Sequence, residues 1–252
     1  MSKGNKIYYS FVSRGGYLGD APSFYDNAEF NWVKEIEEKS SEVLSELNLL
    51  LSDGTIKRSY FDKKIVKRPG SWKTIPLFWW GAKFFKNTSK TPVTTSLLER
   101  IPGMVSASFN LLEPNAEILP HNGDTDAIVR CHLGLVIPSQ LPDAGFEVNG
   151  ESRSWESKKL LMFSDAHIHR AWNYSTEERV VLLLDIVLPS YIGKKRRVSS
   201  RVLASLFFQS ISQKLKFLRK MPKEFQMLLY WCGAFFAWFL VPLRNAIGKL
   251  FF

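Results

Sequence analysis

The chain has 252 residues, a mass of 29.0 kDa and a formal net charge of +10, with 45% hydrophobic and 23% charged residues. This length and composition suit one sizeable core with an appendage, and they exclude collagen-like, fully disordered and disulfide-stapled chains. Its two cysteines, Cys131 and Cys232, lie far apart in the sequence, which argues against a zinc knuckle and fits a reducing compartment.

The N-terminal part predicts a cytoplasmic location and a long helix. The first 16 residues lack the continuous apolar region of a secretory signal, so residues 1–188 are expected to stay in the cytoplasm. Apolar residues then recur at helical spacing over residues 27–51. This spacing predicts an amphipathic helix, with Asn27 as its N-cap.

A second helix is predicted from Thr91 and Pro92, which supply a hydroxyl N-cap and a proline at the first helical position. Gly103 lies beyond the end of that helix. Between the two helices, residues 72–85 are rich in aromatic side chains. They predict an extended, half-buried segment that packs in the core or lines a groove.

After Gly103 the pattern changes to short extended runs separated by turns, which is typical of a sandwich or barrel. We therefore predict a β-rich core over residues 103–189, preceded by a support region at 1–102 and followed by a tail at 190–252. The predicted strands are residues 105–112, 128–137, 146–148, 152–155, 159–163 and 179–188.

The positive charge is concentrated in the tail. From Pro189 onward the chain has 12 Lys and Arg residues and one acid, Glu224, while the first 188 residues hold 22 basic and 23 acidic residues. This distribution argues against a nucleic-acid function of the main domain. A tail that bound DNA or RNA by itself would show salt-sensitive binding by residues 189–252.

The tail also contains an apolar run that predicts a membrane partner. Residues 225–243 carry no charge and are about long enough to span a bilayer. They include Tyr230, Trp231 and Trp238, which are residues that favour the lipid–water boundary. We expect the protein at the cytoplasmic face of a membrane, held by a span or by helices lying in the interface. The alternative is a pair of helices packed on the globular domain.

Two predicted strands place arginine on a polar face. In the strand at 128–137, period-two alternation puts Arg130 and His132 on one face and apolar side chains on the other. The strand at 179–188 carries Arg179 at the head of its polar face. Two arginines directed into one cavity would bind a dianion, because guanidinium matches the geometry of a carboxylate.

All four histidines of the chain fall within 49 residues of this β region. Imidazole suits divalent iron, and a small barrel with two histidines and open coordination positions would suit a non-haem Fe(II) oxygenase. A single histidine is more often a hydrogen-bonded structural residue. The four residues are His121, His132, His167 and His169.

Several short motifs follow one another between residues 109 and 189. They are Leu119-Pro120-His121-Asn122-Gly123, the run VRCHLGLVIP at 129–138, Phe163-Ser164-Asp165, His169 with Trp172, and Arg179 with Asp185. In their order, spacing and residue types they resemble the aspartyl/asparaginyl β-hydroxylase family. The resemblance implies a mainly β fold, a double-stranded β-helix of the jelly-roll, cupin-like type, here with N-terminal helices and a C-terminal helical, basic and apolar tail.

The resemblance implies Fe(II), 2-oxoglutarate and dioxygen, with His121 and His169 as the iron ligands. Most 2-oxoglutarate oxygenases have a carboxylate two residues after the first histidine, whereas this chain has Gly123, as this family does. Asp124 is a possible substitute, although on an extended strand it would point away from the metal. His167 remains open as a pocket residue or a surface residue.

The same resemblance implies which residues bind the carboxylates of 2-oxoglutarate. They are Arg130, His132 and Arg179, with Arg179 at the distal carboxylate. Many relatives have a serine near that carboxylate, and Asn110 aligns with it here. An amide can also donate a hydrogen bond, so the role is expected to persist.

The implied reaction is hydroxylation of an unactivated C–H bond. The basic, aromatic-flanked tail favours the branch of lipid A 2-hydroxylases, which act on an acyl chain. Hydroxylation of aspartyl or asparaginyl side chains in a peptide is the alternative. A third hypothesis, from another class, is a membrane-tethered cupin-like binding protein without turnover.

Overall fold

Seven helices and eleven strands make up the part of the chain that the computed structural model describes, residues 6–55, 57–60 and 62–251. Residues 1–5 of the predicted support region lie outside it. The helices are α1 (Ser10–Ser13), α2 (Val33–Glu38), α3 (Ser40–Ser52), α4 (Phe85–Thr88), α5 (Pro92–Arg100), α6 (Lys195–Lys214) and α7 (Lys223–Gly248). The strands are β1 (Arg58–Ser59), β2 (Trp72–Trp79), β3 (Ala82–Lys83), β4 (Met104–Leu112), β5 (Ala116–His121), β6 (Ile128–Val136), β7 (Ala144–Val148), β8 (Glu151–Arg153), β9 (Leu160–Phe163), β10 (His169–Asn173) and β11 (Arg179–Val187).

The strands form two antiparallel sheets. The larger sheet has the order β1-β2-β4-β11-β6-β9, with β3 paired with the end of β2, and the smaller has the order β5-β10-β7-β8. Side chains of both sheets share one buried cluster, to which Leu112, Ile118, Phe146 and Val181 belong. The fold is therefore mainly β and of the jelly-roll type, as predicted.

The N-terminal helices cover the outer face of the larger sheet. Val43 and Leu47 of α3 belong to the same buried cluster as Val129 and Cys131 of β6. The intervening residue Arg130 points to the inside of the jelly roll, where it lines a cavity. The predicted alternation along this strand is confirmed, and it separates a helix-packed core from a polar interior.

The predicted helix over residues 27–51 is interrupted in the structure. Residues 27–29 form a 3₁₀ turn capped by Asp26, whose side chain accepts a hydrogen bond from the amide of Ala28 at 2.9 Å. The α-helical part is divided at Lys39 into α2 and α3. The prediction of Asn27 as the N-cap was therefore wrong, because Asp26 caps this turn. The prediction of one continuous helix was wrong as well.

The start of α5 is capped by a side chain that is distant in sequence. The carboxylate of Glu46 in α3 accepts hydrogen bonds from the amides of Val93 (2.7 Å) and Thr94 (2.8 Å) and from the Thr94 hydroxyl (2.6 Å). Thr91 occupies the N-cap position, but its hydroxyl donates to the carbonyl of Asn87 instead. A buried carboxylate thus satisfies the free amides of this helix end.

The tail is helical, as predicted. α6 packs against the domain through Val198, Val202 and Leu203, and α7 packs against α6. Among the described residues, α7 is the one helix that is long enough and apolar enough to cross a membrane. Only 11% of its most apolar 18-residue stretch is buried in the protein. The division of the chain at residues 102 and 189 stays a prediction.

Replacing Glu46 with alanine is expected to lower the free energy of unfolding by about 1–3 kcal/mol, because three donors in α5 lose their acceptor. Urea denaturation measures this change. Glu42→Ala on the same helix is the matched control, since Glu42 is exposed and paired only with Lys39. Equal effects of the two substitutions would contradict the role of Glu46.

Candidate active site

Two histidines lie opposite each other on neighbouring strands of the smaller sheet. His121 ends β5 and His169 begins β10, and the strand register pairs the two residues directly. Their ring centroids are 4.3 Å apart. The antiparallel pairing of β5 with β10 therefore brings together side chains that are 48 positions apart in the sequence.

Backbone contacts fix the proton of each imidazole. Nδ1 of His121 lies 2.8 Å from the carbonyl oxygen of Leu119, and Nδ1 of His169 lies 2.9 Å from that of His167. Because a carbonyl only accepts, each Nδ1 carries the proton and each Nε2 presents a lone pair. Burial lowers the pKa of His121 to about 4 and that of His169 well below its usual range. Both rings are therefore neutral, as metal ligands must be.

The space where other oxygenases have an acidic ligand is filled here by a side chain from the turn between β9 and β10. A Cβ on Gly123 would overlap the carboxylate of Asp165, and the amide of Gly123 donates to the Asp165 carbonyl at 2.7 Å. Among the described residues, no group of three or more His, Cys, Asp and Glu side chains is arranged to hold a metal ion.

Asp124, the substitute ligand considered from the sequence, and His167 are both engaged elsewhere. Asp124 is partly buried, and its carboxylate accepts hydrogen bonds from Ser10 (2.7 Å), Ser205 (2.5 Å) and Gln209 (3.2 Å). It ties the N-terminal segment and α6 to the loop after β5. His167 Nε2 lies 2.7 Å from the carbonyl of Ala21, so this ring donates to the backbone.

Arg130 is held by two carboxylates inside the jelly roll. Its Nε and Nη2 donate to Asp185 at 2.7 and 3.1 Å, and its Nη1 forms a close ion pair with Asp165. Burial raises the pKa of Asp165 to about 7, although the charge of Arg130 opposes this. The fork geometry fixes the position of the guanidinium beside the histidine pair.

Arg179 differs from Arg130 because no ion pair joins it to an acidic side chain in the described part of the chain. Arg179 is 2% exposed, and its Nε makes no hydrogen bond within the described part of the chain. Its guanidinium carbon lies 4.5 Å from the ring centroid of Trp155. Burial lowers the pKa of Arg179 to about 9, and Glu178 only partly offsets this effect. At neutral pH the side chain is a buried cation, which is a costly arrangement without an anion.

Trp155 also orients a third histidine. The indole Nε1 of Trp155 donates to Nδ1 of His132 at 3.2 Å, so the proton of this neutral ring lies on Nε2. Burial, and to a lesser extent the charge of Arg179, lowers the pKa of His132 well below its usual range.

The side-chain amide of Asn110 is held by two neighbours. It accepts a hydrogen bond from Trp72 at 2.9 Å and donates one to the Ser108 hydroxyl.

All six side chains predicted for the site line one cavity between the two sheets. Their common position does not by itself assign a role to any one of them. The cavity continues into a groove of about 470 Å³ that shares Trp72, Asn110, His121, Arg130 and Leu183 with it. The six residues are Asn110, His121, Arg130, His132, His169 and Arg179.

The chemistry of the cavity fits a cation beside a bound dicarboxylate. Nε2 of His121 and Nε2 of His169 each present a lone pair, and neither receives a hydrogen bond among the described residues. The buried cation Arg179 lines the same cavity and has no anion paired with it in the described part of the chain. The donor set therefore fits a divalent iron and a molecule that bears carboxylates.

Two contributors to the site were not assigned roles from the sequence. Trp155 contacts both Arg179 and His132, and Asp165 contacts Arg130 and fills the space beside Gly123. Asp165 belonged to the motif that carried the resemblance. No local pattern marks Trp155, because its partners come from distant strands.

Comparisons with known proteins agree with this geometry. A family profile described as "Aspartyl/Asparaginyl beta-hydroxylase" matches residues 37–189. The chain is 34% identical over 176 residues to the "Ornithine lipid ester-linked acyl 2-hydroxylase" of Rhizobium tropici, covering 68% of this chain and 62% of that protein. It is 24% identical to the "Aspartyl/asparaginyl beta-hydroxylase" of Mus musculus, covering 77% of this chain and 29% of that protein.

The chain thus spans less than two thirds of the length of both relatives. Among solved structures, a Pseudomonas putida prolyl-4-hydroxylase aligns with a TM-score of 0.40 and 13% identity, over 62% of this chain and 98% of that one. A likeness of this size carries no functional argument.

Gly123→Ala is expected to destabilise the protein by about 1–3 kcal/mol, because the new Cβ must displace a carboxylate that Arg130 holds in place. Thermal unfolding compares it with Gly16→Ala, where a Cβ meets open space. If Gly123→Ala were as stable as the control, the close contact with Asp165 would be wrong.

Proposed function

Because the chain belongs to the aspartyl/asparaginyl β-hydroxylase family, we propose that it is an Fe(II)- and 2-oxoglutarate-dependent hydroxylase. One observation carries this proposal. A buried guanidinium without an acid and two neutral imidazoles with free Nε2 atoms line the same cavity. A buried cation without an acidic partner destabilises the folded state. We therefore interpret Arg179 as a group that binds the carboxylate of a ligand.

In this proposal each polar group has a defined task. His121 and His169 hold the iron, and Arg179 binds the distal carboxylate of 2-oxoglutarate. Nε2–H of His132 and the guanidinium of Arg130 are placed to bind its other end. When bound, iron and 2-oxoglutarate together supply the oxidising power for C–H hydroxylation by dioxygen.

The other residues of the site keep this arrangement rigid. The backbone carbonyls of Leu119 and His167 hold the two Nδ1 protons, so both Nε2 atoms keep a free lone pair and each ring is held in place. Trp155 keeps His132 in the tautomer that donates from Nε2 and covers the face of Arg179. Asp185 anchors Arg130 through two hydrogen bonds.

We favour the acyl chain of a membrane lipid as the substrate. The similarity to an ornithine lipid acyl 2-hydroxylase supports this class, as does the apolar helix α7. The outer part of the groove is lined by aromatic side chains, among them Phe78, Trp79, Trp80 and Phe84. The expectation of lipid A in particular stays a prediction, and an aspartyl or asparaginyl peptide is the alternative, supported by the relative from Mus musculus.

Replacing Arg179 with methionine is expected to separate binding from stability. The variant should bind 2-oxoglutarate at least about 30-fold more weakly, because a buried carboxylate loses its partner. Its own unfolding temperature should be equal or higher, because an uncompensated buried charge has been removed. Calorimetric titration of the Mn(II)-loaded protein with 2-oxoglutarate and thermal unfolding measure the two effects.

The exposed Arg153 provides the matched control, since its side chain is 46% exposed and pairs with Glu151 at the surface. Arg153→Met should bind 2-oxoglutarate as the unmodified protein does. A stable Arg179→Met variant that still bound 2-oxoglutarate normally would refute the proposed role of Arg179.

The reaction itself is tested by succinate release and by mass spectrometry of lipids. Purified protein with Fe(II), 2-oxoglutarate and extracted membrane lipids should release succinate and yield lipids heavier by one oxygen. His121→Ala and His169→Ala should each abolish both signals. Oxygen gained only by Asp or Asn peptides would replace the acyl substrate with the peptide alternative, and no succinate under any condition would favour a binding protein without turnover.

A further inference from the structure

We propose that α7 lies in the surface of an anionic membrane, parallel to the bilayer, and does not cross it. The helix is docked on the domain along its length, and its outward face is the part that enters the lipid. Only the identity of the substrate, a lipid of the same membrane, rests on the proposed function. The membrane contact itself follows from the contacts of α7.

One face of α7 is covered by the domain from end to end. Tyr230 is 1% exposed and Ala234 is 7% exposed, and Ala237 and Val241 contact the buried cluster of α6 and the sheet. Asn245 continues the same stripe. These positions recur every three or four residues, so they form a single docking face that extends over about four of the roughly seven turns of α7.

Directed hydrogen bonds hold the middle and the C-terminal part of the helix on the domain. The side-chain amide of Asn245 donates to the carbonyl of Gly81 at 2.7 Å and accepts from the amide of Lys83 at 3.1 Å. Arg244 donates to the carbonyl of Lys83 at 2.8 Å. In the middle of the helix, Arg196 of α6 donates to the carbonyl of Trp238 at 3.0 Å.

A crossing orientation is incompatible with this docking. If α7 entered the hydrocarbon core as docked, Lys83 of β3 and the charged start of α6 would have to enter with it, at a cost of several kcal/mol for each unsatisfied group. If α7 left the domain, Asn245 and Arg244 would lose their backbone partners. A helix in the plane of the interface avoids both costs.

The outward face of α7 is apolar and aromatic. Leu228, Trp231, Phe235, Phe239 and Leu243 are between 41% and 61% exposed and recur every three or four residues. An apolar stripe of this length on the surface of a protein marks an interaction site. Its aromatic composition suits the boundary between headgroups and acyl chains.

The charge around the stripe identifies its partner. Lys214, Lys216, Arg219 and Lys220 precede α7 and are exposed, and Lys249 follows it. The tail contains a single acid, Glu224. A face bordered by cations complements anionic headgroups, whereas a second copy of the same face would meet it with like charge.

This orientation brings the groove of the site to the lipid. The turn on which Asn245 docks, at Gly81 and Lys83, directly follows Trp79 and Trp80, which line the groove that leads to His121. An acyl chain that leaves the membrane beside α7 therefore meets an aromatic wall that continues to the site.

Cysteine accessibility distinguishes the two orientations. In the full chain with Cys232→Ser, single substitutions Lys223→Cys and Lys249→Cys place a thiol at each end of α7, while Cys131 stays buried. Membrane vesicles from expressing bacterial cells are treated with a membrane-impermeant maleimide. We expect both thiols to react in inverted vesicles and neither in right-side-out vesicles.

A helix that spans the bilayer would give one reactive thiol in each type of vesicle, and this result would overturn the proposal. Recovery of the protein only in the soluble fraction would overturn it too. Neither readout depends on turnover, so a failed hydroxylase assay and a failed membrane test are distinguishable.

Vesicle sedimentation tests the outward face itself. Phe235→Ser with Phe239→Ser should weaken binding to phosphatidylglycerol-containing vesicles by about tenfold or more. Leu49→Ser on α3 is the matched control, since Leu49 is 65% exposed and lies outside the tail. Binding of the double variant equal to that of the control, or a dimer that dissociates on the same substitution without any vesicle binding, would refute the proposed lipid contact.

Discussion

A single buried cation, Arg179, constrains how the interior of this jelly roll can be interpreted. The residue is 2% exposed and lies against the face of Trp155, and its Nε has no hydrogen-bond partner in the described chain. Arg130, a neighbour in the same cavity, has two carboxylates. The interior thus contains one satisfied guanidinium that organises the site and one unsatisfied guanidinium that is available to a ligand. A dicarboxylate is the class of ligand that such an arrangement suits.

The histidine pair depends on strand register rather than on a local motif. His121 and His169 face each other because β5 pairs with β10, and the two backbone carbonyls that accept their Nδ1 protons belong to the same strand ends. Gly123 has a steric reason as well, because the carboxylate of Asp165 occupies the space that a side chain there would need. The lack of an acidic residue two positions after His121 is therefore built into the packing.

The sequence predicted the parts of this arrangement that have a local signal. Six strands, the amphipathic segments and the polar face of β6 follow from periodicity, since one face of each element is buried. Within the predicted β-rich core two strands were missed, β5 and β10, which carry the two histidines. β10 has the sequence HRAWN and β5 contains a proline, so neither has a strong strand pattern, and both are held by pairing with neighbours.

Long-range contacts explain the remaining differences. The cap of α5 comes from Glu46, which lies 48 positions before Thr94 in the sequence, and Arg179 packs against the ring of Trp155. The sequence also left open whether the apolar tail spans a bilayer, because length and composition are the same in both orientations. Asn245 and Arg244 discriminate between them only when their backbone partners at Gly81 and Lys83 are known.

The most direct test of the central claim is a crystal structure of the protein with Mn(II) and N-oxalylglycine, an unreactive analogue of 2-oxoglutarate. We predict an anomalous peak bonded to Nε2 of both His121 and His169, with the distal carboxylate of the analogue paired with Arg179. A metal bound elsewhere, or an analogue that leaves Arg179 without a partner, would contradict the account.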